Sequence, residues 1–137
     1  MRTLIGMYEK ALPASLSWPE RLGAARRAGY DFVEMSVDET DERLARLDMP
    51  QRERLDLLAA VAASGLRIPS MCRSAPRRFP FGSRDGAVPG RARETSAGAF
   101  GLAVGLRIRT VPLTCSDVLS EEPRAIPGQS CLNGLDR

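Results

Sequence analysis

The most constraining feature of this sequence is the alternation of strand-like and helix-like segments over its first 72 residues. Short runs rich in apolar, β-branched or aromatic residues predict strands at Thr3–Tyr8, Tyr30–Val37 and Arg67–Cys72. The segments between them predict helices, one opening near Ser17 and the other near Pro50. Because β-α-β-α-β alternation with short connections folds as right-handed βαβ units, the pattern predicts an α/β fold with parallel strands.

Both predicted helices carry recognisable end signals. Ser17 is a good N-cap residue, and Glu20 complements the helix dipole. Pro19 suits the first turn, because the backbone N–H that proline lacks would have no intrahelical partner there. Gly29 and Gly65 follow the last periodic residues and predict the two helix ends.

The pattern is less regular beyond residue 83. Asp85–Gly105 keeps helical spacing but contains Pro89, and an interior proline costs a helix about 3 kcal/mol. Arg107–Val111 predicts a fourth strand that ends at Pro112. We therefore divide the chain into an α/β unit over residues 1–113 and an irregular or disordered tail over residues 114–137.

Composition excludes several functional classes. The net charge is only +3, the arginines are scattered and aromatic residues make up 5% of the chain, so a nucleic-acid interface is disfavoured. We expect no membrane span, because no apolar run approaches about 18 residues. Three widely spaced cysteines without a secretion signal indicate the reducing cytoplasm. The absence of histidine removes the commonest metal ligand and general base.

Several blocks of the sequence resemble one enzyme family. Gly6–Pro13, Tyr30–Leu44 and Ile68–Cys72, followed by Arg77–Pro80 and Gly82–Ser83, are similar to the L-ribulose-5-phosphate / L-xylulose-5-phosphate 3-epimerases in order and spacing. The middle block agrees almost letter for letter, whereas the resemblance thins after residue 83. One departure lies inside the matched region, where Pro76 stands at a position that is commonly histidine in the family.

The resemblance implies a TIM barrel of the xylose-isomerase type with one divalent metal. Since a complete barrel needs about 250 residues, this chain of 137 predicts a partial (β/α)8 barrel with about strands 1–4 and a degenerate C-terminal segment. In the family, the metal ligands and the two acid–base carboxylates lie in the second half of the barrel. We therefore assign no catalytic and no metal-binding residue here, and expect this chain to bind no metal.

Candidate substrate-binding residues follow from the rule that barrel active sites lie at the carboxyl ends of the strands. They are Glu9, Lys10, Glu34, Ser70, Arg77 and Arg78. Glu34 could instead pair with an arginine of a neighbouring strand, and Lys10 could be a solvated loop residue. The arginines could attract a phosphate. Nearby Asp38, Glu39, Asp41 and Glu42 are better explained as a solvated acidic helix start than as a metal cluster.

The family resemblance implies 3-epimerisation of a pentulose 5-phosphate in pentose or ascorbate catabolism. We expect the chain alone to be truncated and inactive, and to self-associate through its open sheet edges. The alternative is a non-catalytic remnant with no function of its own.

Overall fold

The computed structural model describes residues 2–112 of the chain. Three strands alternate with four α-helices along the sequence. The strands are β1 (Gly6–Tyr8), β2 (Phe32–Val37) and β3 (Met71–Arg73); the helices are α1 (Trp18–Arg27), α2 (Asp41–Leu44), α3 (Gln51–Ser64) and α4 (Ala87–Gly105). Short 3-10 turns at Glu9–Ala11, Ala45–Asp48 and Ala75–Arg77 follow β1, α2 and β3.

The strands form one parallel sheet in the order β1-β2-β3. Tyr8 pairs with Glu34 across the first ladder, and Met35 pairs with Met71 across the second. Parallel neighbours need long crossover connections, and α1 and α3 occur within the two crossovers. The predicted α/β fold with parallel strands is confirmed, although each strand is shorter than its apolar run.

The predicted helix ends are also confirmed. At the start of α1, the Glu20 carboxylate accepts hydrogen bonds from the Ser17 backbone N–H at 2.7 Å and from Ser17 Oγ at 2.6 Å. Gly29 and Gly65 have φ angles of 85° and 70°, a left-handed conformation that side chains with a Cβ disfavour.

One face of the sheet packs against the long helices. Val33 joins Leu22 and Ala25 of α1 in one apolar cluster. Met35 and Val37 join residues of α3, β3 and α4 in a larger one, which includes Leu57, Met71, Ala99 and Leu102. We call this side the helix-covered face. Its strand residues are fully buried, so it supplies the hydrophobic core that the alternation predicted.

Helix α4 forms despite its unfavourable sequence, and its start explains why. Pro89 is the third residue of the helix, within the first turn, where a missing N–H breaks no intrahelical bond. Gly98 lies against the turn that follows α2, where an added Cβ would come within 3.2 Å of Leu47 Cβ. The glycine therefore allows a close approach between helix and turn that the sequence pattern alone did not indicate.

The fourth strand is not formed as predicted. Residues 107–111 contribute one parallel bridge, between Thr110 and Ser70, instead of a strand. Arg107 adopts a φ of 58°, so the chain is still turning out of α4 there, and Pro112 offers no N–H for the ladder. Only the middle of the predicted strand can therefore pair with the segment beside β3.

The predicted tail over residues 114–137 lies outside the described residues, as does the final residue of the predicted 1–113 unit. Within residues 2–112, no helix is both long and apolar enough to cross a membrane.

Candidate functional site at the carboxyl ends of the strands

The second face of the sheet is polar. Strand residues alternate between the two faces, so Glu34 and Ser36 point away from the side on which Val33, Met35 and Val37 pack. Tyr8 pairs in register with Glu34, Ser70 Oγ donates to Glu34 Oε1 at 2.9 Å, and Ser70 is bridged to Thr110. A row of polar side chains therefore crosses the sheet from β1 to the segment after α4. We call this side the open face.

A second polar group lies nearer the carboxyl ends. The Tyr8 hydroxyl and Ser36 Oγ are 2.9 Å apart, and Cys72 pairs in register with Ser36. Burial raises the pKa of Tyr8, an effect that the Ser36 hydrogen bond partly opposes, while the neighbouring Cys72 thiol also raises it. Tyr8 therefore stays a neutral phenol that can donate and accept hydrogen bonds at neutral pH.

Glu9 occupies the first position after β1 but does not face an open mouth. It is fully buried, and its Oε2 accepts from Arg21 at 2.6 Å. Its Oε1 accepts from Arg43 at 2.7 Å, from Arg46 and from the Ser36 backbone N–H. The carboxylate thus ties α1, β2, α2 and the turn after α2 to the end of β1. The expectation that Glu9 faces the barrel mouth was wrong, because Arg21 of α1, Arg43 of α2 and Arg46 of the following turn enclose it.

Lys10 follows Glu9 in the sequence and, unlike it, remains accessible. Its Nζ is 2.6 Å from Asp38 Oδ2, and its side chain is 37% exposed. Asp38 is 2% exposed, so the prediction that Asp38 belongs to a solvated acidic helix start was wrong. Burial would raise the pKa of Asp38, but hydrogen bonds from Lys10 and Thr40 lower it to about 2. Lys10 in turn has a raised pKa, chiefly because of its hydrogen bond to Asp38.

The two predicted arginines differ in their environment. Arg77 is exposed at the end of its 3-10 turn. Arg78 donates to the Glu39 backbone carbonyl at 3.0 Å and to the Asp41 carboxylate, and it stacks 5.3 Å from the Phe79 ring centre. Asp41 and Glu42 are exposed, as expected of an acidic helix start.

The predicted candidates therefore fall into three locations. Glu34 and Ser70 contact each other on the open face, with Ser70 just before β3 and not after it. Glu9 and Lys10 belong to the charged cluster at the strand ends, and the arginines lie beyond β3. Within residues 2–112, the partner of Glu34 is the Ser70 hydroxyl and not an arginine, so the alternative of an ion pair is not what this part of the chain shows.

Sequence reasoning missed the partners of these residues. Arg21, Arg43 and Arg46 surround Glu9, and Trp18 lies between two of them, 5.6 Å from the Arg21 guanidinium and 5.5 Å from that of Arg46. For Tyr8 and Ser36, which contact each other, a sequence signal was available, because both stand near the ends of predicted strands. The spacing of the arginines, by contrast, shows no period that would have revealed a common target.

The described residues do not fit a divalent metal. Within residues 2–112 there is no group of three histidine, cysteine, aspartate or glutamate side chains close enough to hold one. The two buried carboxylates, Glu9 and Asp38, are already neutralised by arginine and lysine.

Parallel strands with polar carboxyl ends and helices packed on one face are the arrangement expected of a TIM-barrel segment. A solved structure supports this class: the chain aligns with D-psicose 3-epimerase, crystallised in the presence of D-fructose, with a TM-score of 0.73 and 12% identity. The alignment covers 98% of this chain and 46% of that one. The predicted partial barrel is confirmed.

Sequence comparison identifies the relatives. The chain is 59% identical over 118 residues to a protein of Escherichia coli (strain K12) named "Putative L-ribulose-5-phosphate 3-epimerase SgbU". It is 52% identical over 118 residues to the L-ribulose-5-phosphate 3-epimerase UlaE of Salmonella paratyphi B. These alignments cover 86% of this chain and 41% and 42% of the relatives, so it spans less than half of their length. No protein-family model matches.

The resemblance predicted from the motifs is thus confirmed: the chain is related to the N-terminal half of the L-ribulose-5-phosphate 3-epimerases.

Proposed function

We propose that this chain forms the first strands and the substrate-facing wall of a pentulose-5-phosphate 3-epimerase barrel. The observation that carries the proposal is the 59% identity over 118 residues to the L-ribulose-5-phosphate 3-epimerase type. That stretch takes in most of the described chain, on which the polar open face lies. A polar wall on the interior side of a parallel sheet is better suited to binding a hydroxyl-rich ligand than to packing in a dry apolar core.

The open face offers hydrogen-bonding groups for a sugar. Tyr8, Ser36 and Ser70 can donate and accept, and Glu34 can accept from a sugar hydroxyl while it holds Ser70. These side chains replace the solvent that surrounds the free substrate. Of the predicted candidates, Glu34 and Ser70 therefore keep a substrate-binding role in this proposal, to which we add Tyr8 and Ser36.

The chemistry of 3-epimerisation indicates what this chain does not supply by itself. A proton must leave the carbon next to a carbonyl and return on the opposite side, which needs two positioned acid–base groups. Glu9 and Asp38 are held in ion pairs, which leaves Glu34 as the half-buried carboxylate of the open face. We therefore propose that the second acid–base group and any metal ligands come from residues outside the described part of the chain.

The test is an epimerisation assay in two forms. The purified chain is incubated with L-ribulose 5-phosphate and Mn²⁺, first alone and then after co-expression with the C-terminal half of the Escherichia coli relative. We expect no turnover alone and measurable formation of the C3 epimer with the added half. Failure of the added half to copurify and to give turnover would contradict the proposal.

A control separates complementation from contamination. A variant with Tyr8→Phe and Glu34→Ala, made in this chain only, should lower turnover of the complemented protein by at least about tenfold, since two hydrogen bonds to the substrate are lost. Unchanged turnover would mean that the added half or a host enzyme acts without this wall.

A non-catalytic chain is the second candidate, and one observation favours it. The whole sequence contains no histidine, and residues 2–112 bring together no metal-binding group. If the chain is such a remnant, the added half will neither bind it nor restore turnover, and the chain alone will self-associate through its open sheet edges. Sedimentation of the chain with and without the added half distinguishes the two candidates.

A further inference from the structure

The charges at the carboxyl ends of the strands do not balance. Ion pairs of 2.5 to 3.3 Å link one network of six side chains. It contains two carboxylates, those of Glu9 and Asp38, and four cations, those of Lys10, Arg21, Arg43 and Arg46. The network therefore carries two positive charges in excess. Glu39 lies nearby, with its carboxylate accepting from Ser74 Oγ at 2.8 Å, and even with it the balance stays positive.

Burial makes this excess costly. Glu9 is fully buried, and the side chains of Arg21, Arg43 and Arg46 are 4%, 10% and 12% exposed. Uncompensated charge at such depth is unfavourable, because the surrounding medium screens it poorly. An anion placed beside the network would remove that cost.

The network is also accessible from one side. Lys10 remains 37% exposed, and its ion pair with Asp38 leaves ammonium protons that can donate to a ligand. Arg21 is not available in this way, since it donates to Glu9, to the Leu16 carbonyl and to the Ala14 carbonyl. The accessible part of the excess charge thus lies mainly at Lys10, while Arg43 and Arg46, which are 10% and 12% exposed, lie behind it in the same network.

We propose that this network is a binding site for a phosphate group, with Lys10 as its direct ligand and Arg43 and Arg46 as supporting cations. A phosphate dianion offsets the positive excess and accepts charge-assisted hydrogen bonds from ammonium and guanidinium groups. The assignment of that phosphate to the end of a sugar substrate rests on the proposed function; the affinity for phosphate itself does not.

This site differs from the one that the sequence suggested. Arg78 is already engaged by Asp41 and by the Glu39 carbonyl, and its side chain is 43% exposed. Surface ion pairs of that kind contribute little, so phosphate gains less there than beside the buried network.

The experiment uses the full chain and inorganic phosphate as the probe. Trp18 is the chain's single tryptophan and lies between Arg21 and Arg46, so its fluorescence reports on the network. We expect phosphate to change the Trp18 emission saturably and to raise the melting temperature, relative to sodium chloride at equal ionic strength.

Two variants with opposite effects make the test specific. Lys10→Met removes the direct ligand and should weaken phosphate binding by about tenfold, the effect of one charge-assisted hydrogen bond. Asp38→Asn removes a competing carboxylate and should strengthen binding. Arg67→Met is the matched control, since it removes an exposed positive charge just before β3, at the opposite ends of the strands, and should leave the affinity unchanged.

Three outcomes would overturn the proposal: a phosphate response no greater than that to chloride, equal weakening in Lys10→Met and Arg67→Met, or weaker binding in Asp38→Asn. Replacing phosphate by L-ribulose 5-phosphate separates this inference from the proposed function. If phosphate binds and the sugar phosphate binds no better, the anion site stands and the assigned substrate is wrong.

Discussion

The two faces of the sheet differ in chemistry although they are made by the same residues in alternation. On β2, Val33, Met35 and Val37 are fully buried among the helices, whereas Glu34 and Ser36 on the other side make polar contacts with Ser70 and Tyr8. The helix-covered face is a finished hydrophobic core. Among residues 2–112, the open face is built from hydrogen-bonded polar side chains and not from an apolar cluster.

This difference separates folding from function. Burial of apolar area supplies most of the free energy of folding, so the helix-covered face should determine whether the chain folds. Polar groups contribute little net stability but determine what a surface recognises. The open face should therefore tolerate substitution in the folded chain and yet be sensitive in any complete barrel.

The largest effect is expected from a truncation on the helix-covered face. Met35→Ala removes a fully buried side chain from the larger apolar cluster and should lower the free energy of unfolding by about 3 kcal/mol. Urea denaturation followed by circular dichroism measures it. Leu55→Ala, at a leucine that is 57% exposed on α3, is the matched control and should change stability by less than about 0.5 kcal/mol. Equal losses in both variants would mean that the core is not packed as described.

The second-largest effect is expected in the pH dependence of stability, because the helix-covered face does not titrate whereas the charged groups at the strand ends do. The pKa of Asp38 falls from 3.8 to about 2 on folding, so its contribution is present above pH 4 and lost as the pH falls through 2. The shift corresponds to about 2 kcal/mol. Unfolding free energies measured between pH 6 and 2 should therefore fall less steeply in Asp38→Asn than in the unmodified chain. Parallel pH profiles would show that the Lys10–Asp38 contact does not stabilise the fold.

The helix-covered face was largely predictable from the sequence, for physical reasons. Val33, Met35 and Val37 stand at alternate positions of one strand, and Trp18, Leu22 and Ala25 repeat at helical spacing, so local periodicity already encodes which side is buried. The Ser17–Glu20 and Gly65 end signals act within one turn of the chain and were equally readable. The segment at Arg107–Val111 misled us because strand pairing depends on a neighbour, which local pattern does not contain.

The charged strand ends were not predictable in the same way. Glu9 was selected correctly as a residue following a strand, but its burial depends on Arg21, Arg43 and Arg46, which lie 12 to 37 positions away. A charge in sequence gives no indication of whether a distant partner will enclose it. The motif resemblance compensated for this limit by indicating the barrel, from which the location of the strand ends follows.

A third prediction tests whether the open face is held by its own contacts. Tyr8→Phe removes the hydroxyl that contacts Ser36 Oγ at 2.9 Å and should lower the free energy of unfolding by about 1 kcal/mol. Ser36→Ala should cost a similar amount, and the double variant should cost less than the sum, because both changes remove the same hydrogen bond. Additive losses in urea denaturation would show that the two hydroxyls do not interact.

The smallest effect on stability should coincide with a large effect on function. Glu34→Gln keeps an oxygen that can accept from Ser70 Oγ, so the free energy of unfolding should change by less than about 0.5 kcal/mol. Turnover of the chain complemented with the remaining half barrel should nevertheless fall by more than about tenfold, because a neutral amide is a weaker partner for a sugar hydroxyl or a transferred proton. Thermal melting and the epimerisation assay on the same preparation give both numbers. A variant that loses stability but keeps turnover would reverse the division between the two faces, since Glu34 would then act as part of the fold and not of the substrate wall.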